Sequence, residues 1–342
     1  MTDFEALQQR LKDQRFTWLV TGGGGFIGSH LTGHLLQMGQ NVVVFDNFST
    51  GYESNLDIVR ADQTGDSSDL LTVVDGDVRD LDLCRKVCEG CDHILHQAAL
   101  GSVPRSIDDP VSSHASNVTG TVNLFTAAKD AGVKRVVYAS SSSVYGDEPN
   151  LPKVEDRTGA LLSPYAATKA INETYASVFA RCYGLETIGL RYFNVFGPRQ
   201  DPNGPYAAVI PKWIDDMLAG RTVMINGDGS TSRDFTFVDD VVQANLLAAT
   251  VDSSTAVNRA YNIAVGERTT LTQLAEAISA GMQRIRPDLE IPAPEYRGFR
   301  EGDVLHSLAD ISAAKTYLGF QPEVDLVNGL HATIASFLEA KP

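Results

Sequence analysis

The sequence predicts an α/β fold: a parallel, doubly wound sheet with helices on both faces, joined to a smaller α/β lobe in the C-terminal part. Three observations lead there. Apolar, β-rich runs alternate with amphipathic helical stretches through the first half of the chain, which is the pattern of a parallel sheet covered on both faces. A glycine cluster, "TGGGGFIGSH", separates the first such run from the first long helix. Beyond about Gln200 the alternation loosens into segments rich in Gly, Pro and Asn, "GPRQDPNGPYAAV" and "INGDGSTSRDF".

The elements follow in order. "MTDFEALQQRLKDQRF" is amphipathic and charged and reads as a short helix over 1–16, without the apolar core of a signal peptide. Strands are expected at "TWLVTG", "NVVVFD", "LTVVDGDV", "HILHQAAL", "RVVYAS" and "ETIGLRYF". Long helices are expected at "NVTGTVNLFTAAKDAG" and "SPYAATKAINETYASVFARCYG", with others at "VDDVVQANLLAAT" and "LTQLAEAISAGMQRI". This divides the chain into a sheet domain over 17–195 and a lobe mainly over 196–342, with a return to the sheet near 234–265.

Glycine lets a backbone turn tightly and approach another molecule closely. Gly22, Gly25 and Gly28 stand between a strand and a helix whose apolar positions are Phe26, Ile27, Leu31, Leu35 and Met38. Amide groups at such a helix start bind phosphate. The spacing is the dinucleotide fingerprint with its first interval one residue longer. Asp46 ends the second strand, about 20 residues on, where a carboxylate accepts from an adenosine ribose and repels a 2′-phosphate. A Rossmann-type domain that binds NAD rather than NADP is therefore expected.

Composition sets limits. The 342 residues are 43% hydrophobic, with 28 Lys and Arg against 43 Asp and Glu, for a net charge of −15. That charge speaks against general nucleic-acid binding. No apolar run approaches the roughly 18–20 residues of a membrane span. Cys84, Cys88 and Cys91 lie near His93 and His96, but the spacing fits no familiar zinc pattern. They read as buried free thiols of a cytoplasmic protein, and no metal is expected.

The reacting groups come later. Four serines, Ser140 to Ser143, stand where the strand "RVVYAS" ends, and Tyr165 and Lys169 share one helix face. Free tyrosine has a pKa near 10. A neighbouring ammonium and a nicotinamide cation both favour the phenolate. Tyr165 can then take a proton from an alcohol, while a serine hydroxyl holds the same oxygen.

In this order these motifs resemble the extended short-chain dehydrogenase/reductases of the nucleotide-sugar epimerase and dehydratase group, from about Trp18 to the C-terminus. "TGGGGFIGSH", "VFDN", "GDVRD", "HQAA", "SSSSVYGD", "PYAATK", "RYFNVFGPRQ", "SRDFTFVDD" and "REGD" carry the resemblance. In "AALGSVPRSI", "LPKVED" and "YAAVIPKW" the chain is most similar to UDP-N-acetylglucosamine 4-epimerases of bacterial surface-polysaccharide pathways.

The resemblance implies roles by position. Phe26 and Ile27 add amides at the pyrophosphate. Asp46 and Asn47 hold the adenosine ribose, Asp77 and Val78 border the adenine, and Gln97, Ala98 and Ala99 line the dinucleotide. Tyr165 is the base, and Lys169 holds the nicotinamide ribose and lowers the Tyr165 pKa. Ser141 matches the catalytic Ser/Thr, with adjacent Ser142 as an alternative. For a UDP-sugar, Ser102, Ser143, Asn194 and the backbone near Ala208 and Val209 are binding positions. Arg233 and Arg300 neutralise the diphosphate, and Asp303 takes a uridine ribose hydroxyl. Dehydratases of the group carry an Asp-Glu pair where this chain has Ser142 and Ser143, which disfavours dehydration.

The implied activity is NAD-dependent C4 epimerisation of UDP-N-acetylglucosamine through a transient 4-keto sugar. The alternatives are UDP-glucose/UDP-galactose or UDP-hexuronate epimerisation and a non-catalytic NAD sensor. A homodimer built on the helices over 113–131 and 164–183 is also implied. Epimerases restricted to non-acetylated sugars carry a tyrosine at the position of Ser307. A serine there leaves room for an N-acetyl group, or else simply caps a helix beginning at "LADIS".

Overall fold

The computed structural model describes residues 1–63, 69–203, 207–299 and 305–339. Arg300 and Asp303 lie outside the described residues. Seven parallel strands form the central sheet. Six coincide with the predicted runs: β1 (Thr17–Thr21), β2 (Asn41–Asp46), β3 (Leu71–Asp75), β4 (His93–His96), β5 (Arg135–Ser141) and β6 (Glu186–Tyr192). The seventh, Arg259–Ile263, returns from the second half of the chain and pairs with β6. The order runs seventh-β6-β5-β4-β1-β2-β3. The direction of winding reverses between β1 and β4, so the crevice beyond their carboxyl ends is where a ligand binds in such sheets.

The period-2 alternation of buried strands divides the core in two. Val20, Val44, Leu95 and Val137 face one layer, and Leu19, Phe45, Ile94 and Val136 face the other. On the first side lie α1 (Asp3–Asp13) and α2 (Phe26–Gln37), with α3 (Glu53–Ala61) against α2. Helix α1 starts at a capping box, with the Thr2 side chain on the Glu5 amide and the Glu5 side chain on the Thr2 amide. On the second side lie α4 (Leu81–Cys88) and the long helical run over 110–131. The predicted helix there is interrupted. It comprises α6 (Pro110–His114), a π turn at Ala115–Thr119 and α7 (Gly120–Ala131), preceded by the short α5 (Val103–Asp108). Helix α8 (Pro164–Tyr183) completes that layer.

A separate core builds the second lobe. Trp213, Ile214 and Met217 of α9 (Val209–Leu218) meet Leu274, Ile278 and Met282 from the later α11 (Leu271–Ile285) and Leu330 and Ile334 from α13 (Leu326–Glu339). Between these, α10 (Val238–Thr250) is buried on nearly every side and packs on α2 and on β4 to β6. Helix α12 (Ser312–Leu318) packs beside the seventh strand. Buried Asp234 ties the halves together, accepting from the amides of Val265 at 3.1 Å and Ala309 at 3.2 Å. No helix among the described residues is long and apolar enough to cross a membrane.

Candidate active site

The glycine turn sits at the end of β1. Gly22 has φ +69°, and a Cβ on it would come within 2.8 Å of the Ala98 nitrogen. A Cβ on Gly28 would overlap the Gly22 carbonyl. Gly25 begins α2 with no side-chain cap, and the first turn carries no acid. The amides there are left open to an anion.

Asp46, at the end of β2, is built into that turn. Its two oxygens accept from the amides of Gly24 and Phe48, each at 2.8 Å. Burial raises its pKa while these amides oppose the rise. Asn47 donates to Asp77 at 2.7 Å. Asp77 is also gripped by Arg79 through two side-chain bonds of 2.9 and 2.6 Å, and that guanidinium holds its carboxyl down at about 2. Gly22, Gly25, Phe26, Ile27, Gly28, Asp46, Asn47, Asp77, Val78, Gln97, Ala98, Ala99, Tyr165 and Lys169 all line one cleft.

At the other end of that cleft stand the candidate reacting groups. Ser163 caps α8 and Pro164 opens it, which places Tyr165 and Lys169 in its first turns. Lys169 donates to the Ala139 carbonyl at 2.7 Å, and its Nζ lies 5.8 Å from the centre of the Tyr165 ring. Burial pushes the Tyr165 hydroxyl up, and a hydrogen bond with Ser141 pulls it back. The resemblance assigns Lys169 the lowering of the Tyr165 pKa, whereas the influences on that hydroxyl here are Ser141 and, above all, burial. It also brings the Lys169 ammonium down to about 8.

The serine run divides its work. Ser140 donates to Glu173 at 2.6 Å, and Arg191 clamps the same carboxylate at 2.9 and 2.8 Å. That hydroxyl is withdrawn from the site. Ser141 accepts from the Ser143 amide at 3.1 Å and bonds its hydroxyl at 2.9 Å. Ser142 and Ser143 face a second cavity of about 430 Å³ that also takes in Asn194, Arg233 and Ser307.

Ser307 does not cap a helix, because α12 begins at Ser312 after Ile311. Its amide instead donates to the Ser232 carbonyl at 3.0 Å. Ser102 caps α5 at φ +97°, between Gly101 of the first cleft and Val103 of the second. Ala208 and Val209 start α9 and line neither cavity. Cys84, Cys88 and Cys91 are buried and free, and burial raises their thiols, Cys84 to about 12. They form no cluster of metal donors with His93 and His96.

Sequence reasoning missed several wall residues. Gly51 of the first cleft presses on Gly24, where a Cβ would lie 2.7 Å from the carbonyl carbon. The only signal was a glycine after "NFST". Tyr145, Lys153 and His306 line the second cavity; the first two fall within "SSSSVYGD" and "LPKVED", but neither motif singles them out.

A parallel sheet with an anion-ready turn at its switch point, and a tyrosine set beside a lysine and a serine at one end of the cleft, is the arrangement of a nicotinamide-dependent enzyme acting at an alcohol carbon. The chain belongs to the NAD-dependent epimerase/dehydratase family, whose model matches residues 18–264. It is 40% identical over 321 residues to a UDP-glucose 4-epimerase of Mycolicibacterium smegmatis, covering 93% of this chain and 97% of that one. Its structure is similar to a UDP-N-acetylglucosamine 4-epimerase from Methanobrevibacter ruminantium in complex with UDP-N-acetylmuramic acid, at TM-score 0.86 and 39% identity over 96% of this chain and 99% of that one. It is also similar to a UDP-glucose 4-epimerase of Thermus thermophilus in complex with NAD, at TM-score 0.80 and 33% identity over 95% and 99% of the two chains. NAD is the cofactor of the family, and the open amides of α2 beside the side-chain-free Gly22 and Gly28 fit its pyrophosphate.

Proposed function

We propose that the protein interconverts C4 epimers of a UDP-hexose, with UDP-N-acetylglucosamine and UDP-N-acetylgalactosamine as the pair. The observation that carries this reading is the placing of Tyr165 and Lys169 together in the first cleft beside Ser141, with Ser142 and Ser143, not acids, on the wall of the second cavity. When bound, NAD supplies a reversible hydride acceptor. Tyr165 takes the proton from the O4 hydroxyl, and Ser141 holds that oxygen in line. Lys169 keeps a cation beside the phenolate. With no acid at Ser142 or Ser143 to drive loss of water, the keto sugar leaves only by reduction. The second cavity gives the sugar space to turn about its diphosphate link and present its other face, and Arg233 on that wall suits phosphate oxygens.

Ser307 in the same wall favours the N-acetylated sugar. The similarity to UDP-glucose 4-epimerases supports a second reading, UDP-glucose and UDP-galactose. Burial of a matched Tyr165–Lys169 pair speaks against a non-catalytic NAD sensor. The test is incubation of the purified protein with a panel of UDP-sugars and no added NAD, followed by NMR. Epimer formation without net reduction of cofactor supports the proposal, and no conversion of any UDP-sugar overturns it. The proposal includes a cytoplasmic homodimer. Helix α8 presents Tyr175, Val178 and Tyr183 at the surface and α6 presents Val111, a face suited to a second copy.

A further inference from the structure

Two histidines stand one turn apart on α2, at His30 and His34, and the first turn of α10 brings Asp239 against them. His34 Nε2 lies 3.4 Å from Asp239 Oδ1, and His30 Nδ1 lies 3.9 Å from the same oxygen. The three donor atoms fall within 4.8 Å of one another.

His30 is only 7% exposed. Its Nε2 sits 2.9 Å from the Pro198 carbonyl, and a carbonyl can only accept, so Nε2 carries the ring proton. Arg199, whose Nε donates to Ser29 Oγ at 3.0 Å, stands near this ring. In the neutral ring Nδ1 is then the lone-pair nitrogen, buried and 3.9 Å from the Asp239 carboxylate oxygen. A cation resolves that juxtaposition.

We propose that His30, His34 and Asp239 bind a divalent transition metal, zinc above all, which clips α2 to α10. Two imidazoles and one carboxylate suit zinc better than magnesium or calcium. Tetrahedral zinc sets its ligand atoms about 3.4 Å apart, so the three donors, within 4.8 Å of one another, need close by no more than about 1.4 Å. The Pro198 carbonyl already fixes the His30 tautomer, as outer partners of ligating histidines do. The side chains of His34 and Asp239 are 30% and 44% exposed, which gives an ion a route in and a place for water ligands. Arg199 opposes the incoming charge and keeps the affinity moderate.

The test uses untagged, chelator-stripped, full-length protein. Cobalt binding is followed by visible absorption and zinc binding by calorimetry. The expected result is one ion per chain, tetrahedral cobalt bands bleached by zinc, and an unfolding temperature raised by zinc. His34→Gln and Asp239→Asn each weaken binding by roughly 100-fold or more and abolish the thermal shift, while His306→Gln binds as the parent does. Absence of saturable binding overturns the proposal. So does unchanged binding in His34→Gln, with circular dichroism checking that the variant is folded.

Discussion

The main-chain amide of Tyr165 donates to the Oγ of Ser106, 2.9 Å away and 59 positions earlier in the chain. The first amides of a helix have no partner within it. Ser163 takes that of Ala166, and Ser106 takes that of Tyr165. Ser106 is fully buried and donates in turn to the Val103 carbonyl at 2.7 Å. A hydroxyl on α5 thus holds the backbone of the proposed base.

Ser106→Ala leaves that amide without its partner, at a cost of about 1–3 kcal/mol. The expected kinetic result is a fall in kcat of about 10- to 100-fold with NAD content unchanged, since Tyr165 is displaced and the glycine turn is not. Calorimetry and steady-state kinetics together check this. Lower stability with an intact kcat would reduce Ser106 to a structural role.

Tyr165→Phe keeps the fold and the bound NAD but loses roughly 10²–10⁴-fold in rate. Lys169→Met separates charge from positioning. Burial sets the Lys169 ammonium near 8, so it is charged below that pH and there favours the phenolate of Tyr165. Its removal should move the rising limb of kcat against pH to higher pH. An unshifted limb would take Lys169 out of the tuning of Tyr165.

Ser307→Tyr narrows the second cavity, which Ser307 helps line. Turnover of UDP-N-acetylglucosamine should fall while that of UDP-galactose persists, because the ring takes the space of the N-acetyl group. A general folding defect lowers both. Equal loss, or no loss, would mean that Ser307 is not the gate.

Acid should unfold this protein through its core. His96 is buried with Nδ1 2.7 Å from the Thr21 hydroxyl and Nε2 2.9 Å from that of Thr121, and burial lowers its pKa from 6.5 to about 3. His93, against the Trp18 ring, drops to about 4. The unfolded chain takes up these protons first, so the stability is whole above about pH 6.5 and is lost as pH falls toward the folded values. Each site approaches about 1.4 kcal/mol per pH unit in that window. Urea titrations at pH 7, 6 and 5 should show the decline, with a shallower slope in His96→Asn. Parallel slopes would exonerate His96.

What the sequence made legible was what acts locally. Gly22, Gly25 and Gly28 work through one turn, Asp46 through one strand end, and Tyr165 and Lys169 through one helical repeat, so spacing alone displays them. The six strands were readable because full burial makes each a nearly continuous apolar run. Ser106, Gly51 and Lys153 depend on contacts between distant segments, and their neighbours in sequence say nothing of those contacts. Arg79 was hidden differently: its grip on Asp77 is local, but a surface Arg–Asp pair is too common to stand out. The alternative of Ser307 as a helix cap failed by position, since the helix begins only at Ser312, the last residue of "LADIS". The π turn inside 110–131 has no counterpart in the hydrophobic period.

The seventh strand, Arg259–Ile263, has a consequence for synthesis. A chain leaving the ribosome N-terminus first completes β6 at Tyr192 and then builds α9 and α10 before that partner arrives. Throughout this interval the outer edge of β6 is an open row of amides and carbonyls, which invites pairing with another nascent copy. The most vulnerable moment in the life of this enzyme therefore falls between residues 193 and 258, and a stalled or truncated message ending there would release a chain with an adhesive edge.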